Sequence, residues 1–115
     1  MKDKLNKYVL VFLTVDGFHY WKNAPESSSY LQQAHRHKFF IRTWFKVQSN
    51  DREVEFFAKQ KEIEELLLTT FGFPCNFEHR SCEDIATFII KNTNSAKVEV
   101  LEDGFYGAII KDDSQ

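Results

Sequence analysis

Three histidines in the first third of the chain have the spacing of metal ligands. His35 and His37 are separated by one residue, and residues two apart on a β-strand point to the same face, about 6.5–7 Å from each other. His19 follows the first predicted strand and can supply a third nitrogen from the neighbouring strand. Three neutral imidazoles with an open fourth position form the ligand set of a catalytic zinc ion. We therefore predict a zinc site, against the plainer interpretation that His35 and His37 are two polar strand residues.

Two predicted strands joined by a loop must position these histidines. Residues 8–15 form a short β-rich run that ends at Asp16-Gly17, which predicts a buried strand. His35–Val47 is mostly apolar at its odd positions and predicts a second strand. Between them, residues 21–34 include Pro25 and three consecutive serines, which favour turns. The three histidines therefore lie near one end of a predicted hairpin.

The rest of the chain changes to a helical period and then returns to strands. Residues 57–70 carry apolar side chains every three to four positions among charged ones, which predicts an amphipathic helix. Ser81 and Asp84 form a capping pair that begins a second helix. Apolar residues at 98–100 and 108–110 predict two more strands. The order β-β-α-α-β-β predicts one α+β domain over residues 1–115, with a four-stranded antiparallel sheet and both helices on one face.

Composition excludes several classes of protein. The chain has 115 residues with 15 basic and 17 acidic side chains, and its net charge of −2 argues against a nucleic-acid binder and a polybasic membrane anchor. Its 12 Phe, 2 Trp and 4 Tyr are enough to build a core. No apolar run approaches the roughly 20 residues of a membrane helix, and the charged start lacks a secretory cleavage site. We expect a cytoplasmic protein in which Cys75 and Cys82 are free thiols.

Several short stretches follow one another in an order that matches the motifs of one known family. They are His19, His35-Arg36-His37, Glu55-Phe56, residues 81–86 (SCEDIA), residues 98–102 (VEVLE) and Gly107-Ala108. Together they resemble the 6-pyruvoyl-tetrahydropterin synthase and 6-carboxy-tetrahydropterin synthase family, which is built on the tunnelling fold, or T-fold. The resemblance covers nearly the whole chain, from about Tyr8 to Ile110, and it depends on the shared order of the motifs.

The resemblance implies a fold, a cofactor and a mode of assembly. It implies a T-fold whose subunits join edge to edge into a cyclic homo-oligomer, with sites between subunits. Such pairing would also cover the exposed edges that a small open sheet leaves. It implies that His19, His35 and His37 bind zinc. It further implies a pterin- or purine-like small molecule as the partner.

Glu102 is the residue that the resemblance assigns to recognition of that ring. A pterin or guanine-like ring presents two adjacent N–H donors on one edge, and a carboxylate accepts both in two parallel, charge-assisted hydrogen bonds. The alternative is a solvated turn residue. Phe18, Tyr20 and Trp21 can form an aromatic wall for the ring, although core packing is an equal alternative for Phe18.

The residues that carry the family's lyase chemistry are not matched. The family's cysteine lies four residues before the His-x-His pair, where this chain has Leu31, which cannot transfer a proton. The family's Asp-His pair is similar to Glu78-His79, but this stretch lies too close to the second helix, and we interpret it as polar loop residues. His79 and Cys75 remain as candidate catalytic groups, and Cys82 is interpreted as a core residue.

The predicted zinc ligands and Glu102 are present, but the family's proton-transfer residues are not, and this combination allows two functions. The first is a zinc-containing protein that binds a pterin- or purine-like molecule and sequesters a nucleotide-type metabolite or signal. The alternative is a zinc-dependent lyase acting on a dihydroneopterin triphosphate-like substrate, in which zinc polarises an oxygen or lowers the pKa of bound water to about 7. A metal-free structural oligomer is a third interpretation.

Overall fold

The computed structural model describes residues 4–115 and shows an α+β protein built on a five-stranded mixed sheet. The spatial order of the strands is β3-β1-β2-β4-β5. No helix among the described residues is long and apolar enough to cross a membrane. The elements, in chain order, are β1 (Lys7–His19), a 3-10 segment (Glu26–Gln32), β2 (His35–Val47), α1 (Phe56–Phe71), β3 (Cys75–Glu78), α2 (Cys82–Thr93), β4 (Lys97–Glu102) and β5 (Tyr106–Lys111).

The predicted α+β class is confirmed, but the prediction of a four-stranded antiparallel sheet is wrong. β1, β2, β4 and β5 are joined by antiparallel pairing, and β3 adds a fifth strand that runs parallel to β1. β3 has four residues and follows Gly72 and Pro74, two residue types that commonly mark the end of a helix. A strand of that length is too short to show a period of its own, so its sequence looks like a loop.

β1 is longer than predicted and reaches the candidate site. The Asp16-Gly17 pair does not end the strand, because the chain stays extended to His19. A Cβ atom at Gly17 would lie 2.7 Å from the Phe77 ring and 3.0 Å from the Cys75 carbonyl oxygen. Glycine at this position therefore allows β3 to approach β1 closely.

The hydrophobic core lies between one face of the sheet and the two helices. It combines the alternating apolar residues of the strands with the apolar stripes of α1 and α2, including Phe39, Ile41, Ile63, Leu67, Ile85 and Ile89, all fully buried. Burial of each such side chain stabilises the fold by about 1.5–3 kcal/mol. Since alternate strand residues share one face, the same alternation directs the side chains of His19, His35 and His37 to the helix side of the sheet.

The predicted capping pair of α2 is confirmed and fixes one wall of the candidate site. The Ser81 hydroxyl accepts a hydrogen bond from the Asp84 N–H at 3.1 Å, and the Asp84 carboxylate accepts one from the Ser81 N–H at 3.2 Å. These bonds satisfy two backbone donors that a helix start leaves unpaired. α2 therefore begins at a defined residue, and its first turn, with Cys82 and Glu83, lines a cavity beside the histidines.

Candidate metal centre

The three histidines predicted from the sequence meet at one end of the sheet. His19, the last residue of β1, pairs with His35, the first residue of β2, and His37 follows on the same face. The ring centroids are 4.7 Å apart for His19 and His35, 5.4 Å for His19 and His37, and 4.9 Å for His35 and His37. One candidate ligand atom from each ring lies within 4.8 Å of the other two. This group can hold a metal ion.

Backbone carbonyl groups fix the orientation of two of the rings. The Nδ1 atom of His19 lies 2.8 Å from the Arg80 carbonyl oxygen, and the Nδ1 atom of His35 lies 3.0 Å from the Gln33 carbonyl oxygen. Because a carbonyl oxygen can only accept, each Nδ1 must carry the hydrogen, which leaves Nε2 with its lone pair in the neutral ring. Metal-ligating histidines in proteins almost always hold their second nitrogen in this way.

Asp103, a residue that the sequence analysis did not single out, orients the third ring. Its carboxylate accepts hydrogen bonds from Nδ1 of His37 at 2.7 Å and from the Lys38 N–H at 3.0 Å. The backbone φ of Asp103 is 55°, in the left-handed region, within the turn that leads from β4 to β5. The hydrogen bond from His37 holds the pKa of the Asp103 carboxyl below its ordinary value.

The Nε2 atom of His37 is the atom that most needs a ligand. It is buried and has no hydrogen-bond partner in the part of the chain that the structure describes. A buried nitrogen without a partner is destabilising by about 1–3 kcal/mol. A metal ion held by the three Nε2 atoms would remove that cost, so the residues present fit such an ion.

Replacing Asp103 with alanine is expected to weaken metal binding about 10–100-fold without removing a ligand, since such outer partners of metal-bound histidines contribute this much. Zinc affinity is measured by competition with a chromophoric chelator. Asp103→Asn should retain part of the affinity because its amide oxygen can still accept from His37. Asp113→Ala, an exposed carboxylate near the C-terminus, is the control. Unchanged affinity in Asp103→Ala would remove this positioning role.

Glu102 contacts two of the histidines. Its Oε1 lies 2.9 Å from Nε2 of His19, and its Oε2 lies 3.6 Å from Nε2 of His37. Burial lowers the pKa of His19, but hydrogen bonds to Glu102 and to the Arg80 carbonyl group raise it, and the net pKa lies above its ordinary value. The hydrogen bond with His19 is the main cause of the lowered pKa of Glu102. The sequence-based role of Glu102, an anchor for a ring, requires a carboxylate that faces the ligand, whereas here both oxygens face imidazoles.

A cavity of about 490 Å³ opens beside the histidines. Its lining includes Tyr20, Trp21 and Leu31 from the segment after β1, and Tyr106 from the start of β5. The Trp21 N–H donates to the Leu31 carbonyl oxygen at 2.7 Å, which joins the two ends of the segment between β1 and β2. Trp21 is 50% exposed and lines the cavity, so part of its surface is available to a ligand. Leu31, at the place of the family's cysteine, supplies an apolar surface.

Of the two candidate acid–base groups, His79 lines this cavity and Cys75 does not. His79 is an exposed turn residue, as interpreted from the sequence, and it also lines the cavity. Cys75 is fully buried within β3 and is not among the lining residues that the structure describes. Burial raises the pKa of its thiol to about 11, which makes it a poor proton acceptor. Cys82 is a core residue, as predicted, and it additionally lines the cavity near Glu102. Both cysteines are free thiols.

Comparisons with known proteins assign no family to this chain. A scan against protein-family models gives no match, and a search of curated proteins gives none either. The motif resemblance described above therefore remains a prediction.

Proposed function

We propose that this chain is a zinc-dependent binding protein of the T-fold type that holds a pterin- or purine-like molecule in the cavity beside His19, His35 and His37. The observation that carries the proposal is the matched orientation of the three rings. Each Nδ1 donates to an oxygen, which leaves the three Nε2 atoms as the nitrogens able to coordinate one ion. Three independent acceptors with the same effect favour a built metal site over three polar strand residues.

Zinc fits the donor set of this site. Neutral imidazoles suit zinc and other borderline transition metals, and His19, His35 and His37 would hold the ion through Nε2. When bound, zinc would place a positive charge at the end of the cavity, beside the ligand. The chain's own residues provide the rest of the site. Asp103 and the Arg80 carbonyl group hold two of the rings in place.

The walls of the cavity favour a small planar ligand. Its volume of about 490 Å³ is within the range of small-molecule sites in proteins, about 300–1,000 Å³. Tyr20, Trp21 and Tyr106 offer aromatic surface in its lining. Arg80 also lines the cavity. Its guanidinium lies 3.3 Å from the Glu78 carboxylate and would suit a carboxylate or phosphate attached to the ring. Aromatic and cationic groups in this combination are suited to a nucleotide-like molecule.

Binding without turnover is favoured over lyase activity because the place of the family's proton-transferring cysteine is taken by Leu31. His79 is the one group that supports the alternative function, a zinc-dependent lyase acting on a dihydroneopterin triphosphate-like substrate. It lines the cavity, and an imidazole can serve as general base near neutral pH. Cys75 does not support it, because the thiol is buried in β3.

Metal analysis and ligand capture test the proposal together. Purified protein should contain one zinc per chain, and a heterocyclic compound released on denaturation should be identified by mass spectrometry. Titration of the zinc-loaded protein with neopterin and with guanosine should give saturable binding of at least one of them. Conversion of dihydroneopterin triphosphate, lost in a His79→Ala variant, would establish the lyase instead. Protein that neither contains nor takes up zinc would contradict both functions.

Assembly into a cyclic homo-oligomer is part of the proposal. β3 pairs with β1 only at residues 17–19, so residues 7–16 of β1 leave most of one edge without a paired strand in the described chain. β5 forms the other edge of the sheet. Leu10 and Phe12 are partly exposed on the sheet face opposite the helices. Pairing of the β1 edge of one copy with the β5 edge of the next would cover both edges. A monomer in light scattering at micromolar concentration would contradict this assembly.

A further inference from the structure

Glu102 has an unusual position for a residue expected to anchor a ring. Both oxygens of its carboxylate are directed at the nitrogens of the candidate metal centre, at 2.9 Å from His19 and 3.6 Å from His37. Strand pairing produces this position, because Phe39 on β2 lies opposite Glu102 on β4, and His37 is the preceding residue on the same face of β2. The carboxylate therefore extends towards the rings from the adjacent strand.

The hydrogen-bonding groups at this point do not satisfy one another. In the neutral rings, Nδ1 carries the hydrogen, so Nε2 of His19 and Nε2 of His37 are acceptors. The carboxylate of Glu102 is also an acceptor. If both rings are neutral, their lone pairs face two carboxylate oxygens. A proton on Nε2 of His19 allows the hydrogen bond to Glu102, but Nε2 of His37 still has no donor or acceptor partner among the described residues.

A metal ion would satisfy all of these atoms, whereas a proton would not. A proton on Nε2 of His19 can form the short contact with Oε1 of Glu102, but it leaves Nε2 of His37 without a partner. Ligand atoms about 2.0–2.2 Å from a four-coordinate zinc ion lie about 3.3–3.6 Å from one another. The separation of Oε2 of Glu102 from Nε2 of His37, 3.6 Å, is at the upper end of this range. The separation of Oε1 from Nε2 of His19, 2.9 Å, is shorter and corresponds to a hydrogen bond.

We infer that Glu102 is the fourth protein ligand of the metal centre, which makes the centre a closed site of three imidazoles and one carboxylate. This inference rests on the proposed zinc site and changes the role of Glu102 within it. A carboxylate that coordinates the ion cannot at the same time accept two hydrogen bonds from a ring. The ligand in the cavity is therefore held by the aromatic walls and Arg80, and it contacts a metal centre whose coordination is already complete.

The carboxylate also suits the charge of the centre. Three neutral imidazoles leave a divalent ion with its full charge of +2 in a partly buried site, and a coordinating carboxylate reduces the net charge to +1. Glu102 has a side chain that is 27% exposed, so it is shielded enough to interact strongly with the ion. Asp103 adds a second negative group through His37.

Cobalt(II) substitution tests whether the fourth position is closed. In an open site, added azide coordinates the metal and changes the visible absorption of cobalt, whereas in a closed site it does not. We expect no change on adding azide to the wild-type cobalt protein and a clear change in Glu102→Ala, where the position is open. This measurement on the wild-type protein does not depend on the folding of any variant. A wild-type spectrum that shifts with azide would overturn the inference.

Zinc affinity provides the second measurement. Glu102→Gln should weaken zinc binding by about 100-fold or more, because loss of outer partners alone weakens it 10–100-fold. Glu65→Gln is the matched control, since Glu65 is an exposed carboxylate on α1 that does not line the cavity, and the zinc affinity of this variant should be unchanged. Wild-type affinity in Glu102→Gln, with zinc still lost in His37→Ala, would overturn the inference and leave the three-histidine site intact. A zinc affinity that is unchanged in both Glu102→Gln and His37→Ala would contradict the proposed function itself.

Discussion

Replacing His37 with alanine is expected to abolish stoichiometric zinc binding while leaving the helices folded. The imidazole supplies one of three neutral nitrogens, and its Nε2 is buried without a hydrogen-bond partner in residues 4–115. We expect the zinc affinity to fall by a factor of about 100 or more, since the effect of a lost ligand should exceed the 10–100-fold effect of an outer partner. Zinc content after gel filtration and the dissociation constant from chelator competition measure it.

The control for this variant is His79→Ala. His79 lines the same cavity but does not belong to the group of three, so its zinc content should equal that of the wild-type protein. Far-ultraviolet circular dichroism should be unchanged in both variants, because the residues that anchor α1 and α2 lie in the core and not at the histidines. A His37→Ala protein that keeps one zinc per chain would remove His37 from the ligand set.

Replacing Gly107 with alanine is expected to be the most destabilising single-methyl change in the sheet. A Cβ atom at Gly107 would lie 1.8 Å from the Val100 carbonyl oxygen and 2.7 Å from the Leu101 Cα, both of them backbone atoms of the paired strand β4. Backbone cannot rotate away as a side chain can, so β5 must shift or separate. We expect the free energy of unfolding to fall by about 3 kcal/mol or more, at the upper end of the effects of overpacking.

Urea denaturation followed by circular dichroism measures this loss. Ile109→Ala is the matched control, because Ile109 lies on the same strand and is 52% exposed, and we expect its stability to change by less than about 1 kcal/mol. Since Gly107 also lines the cavity, any Gly107→Ala protein that folds should bind the ligand more weakly. Wild-type stability in Gly107→Ala would mean that β4 and β5 are not paired in this register.

The long elements of the fold could be predicted from the sequence because their periods are clear. β2 has the predicted bounds, His35–Val47, and α1 differs by one residue at each end from the predicted 57–70. β3 could not be predicted, because a parallel strand of four residues depends on the return of the chain after α1 and on the space at Gly17. The end of β1 was missed for a related reason. Asp16-Gly17 is a common turn sequence, but here Gly17 lies within β1, and its missing side chain allows β3 to pack closely against the strand.

The candidate site also has a part that the sequence predicts and a part that it does not. The convergence of His19, His35 and His37 follows from strand geometry, which the sequence reveals through its alternation. The role of Asp103 depends on a positive φ at the end of β4, and no pattern in the sequence reports that conformation for an aspartate. The contact of Glu102 with the imidazoles depends on the register of β2 with β4. A sequence motif identifies Glu102 as a candidate but cannot show which way its carboxylate turns.

The residues that we propose as metal ligands come from three strands that are far apart in the sequence, and this has a consequence for folding. His19 belongs to β1, His35 and His37 to β2, and Glu102 to β4. A slip of one residue between β1 and β2 would turn His35 and His37 to the opposite face of the sheet. An ion that requires all of these side chains on one face would bind only the correctly aligned chain, so zinc would select against misaligned forms by mass action.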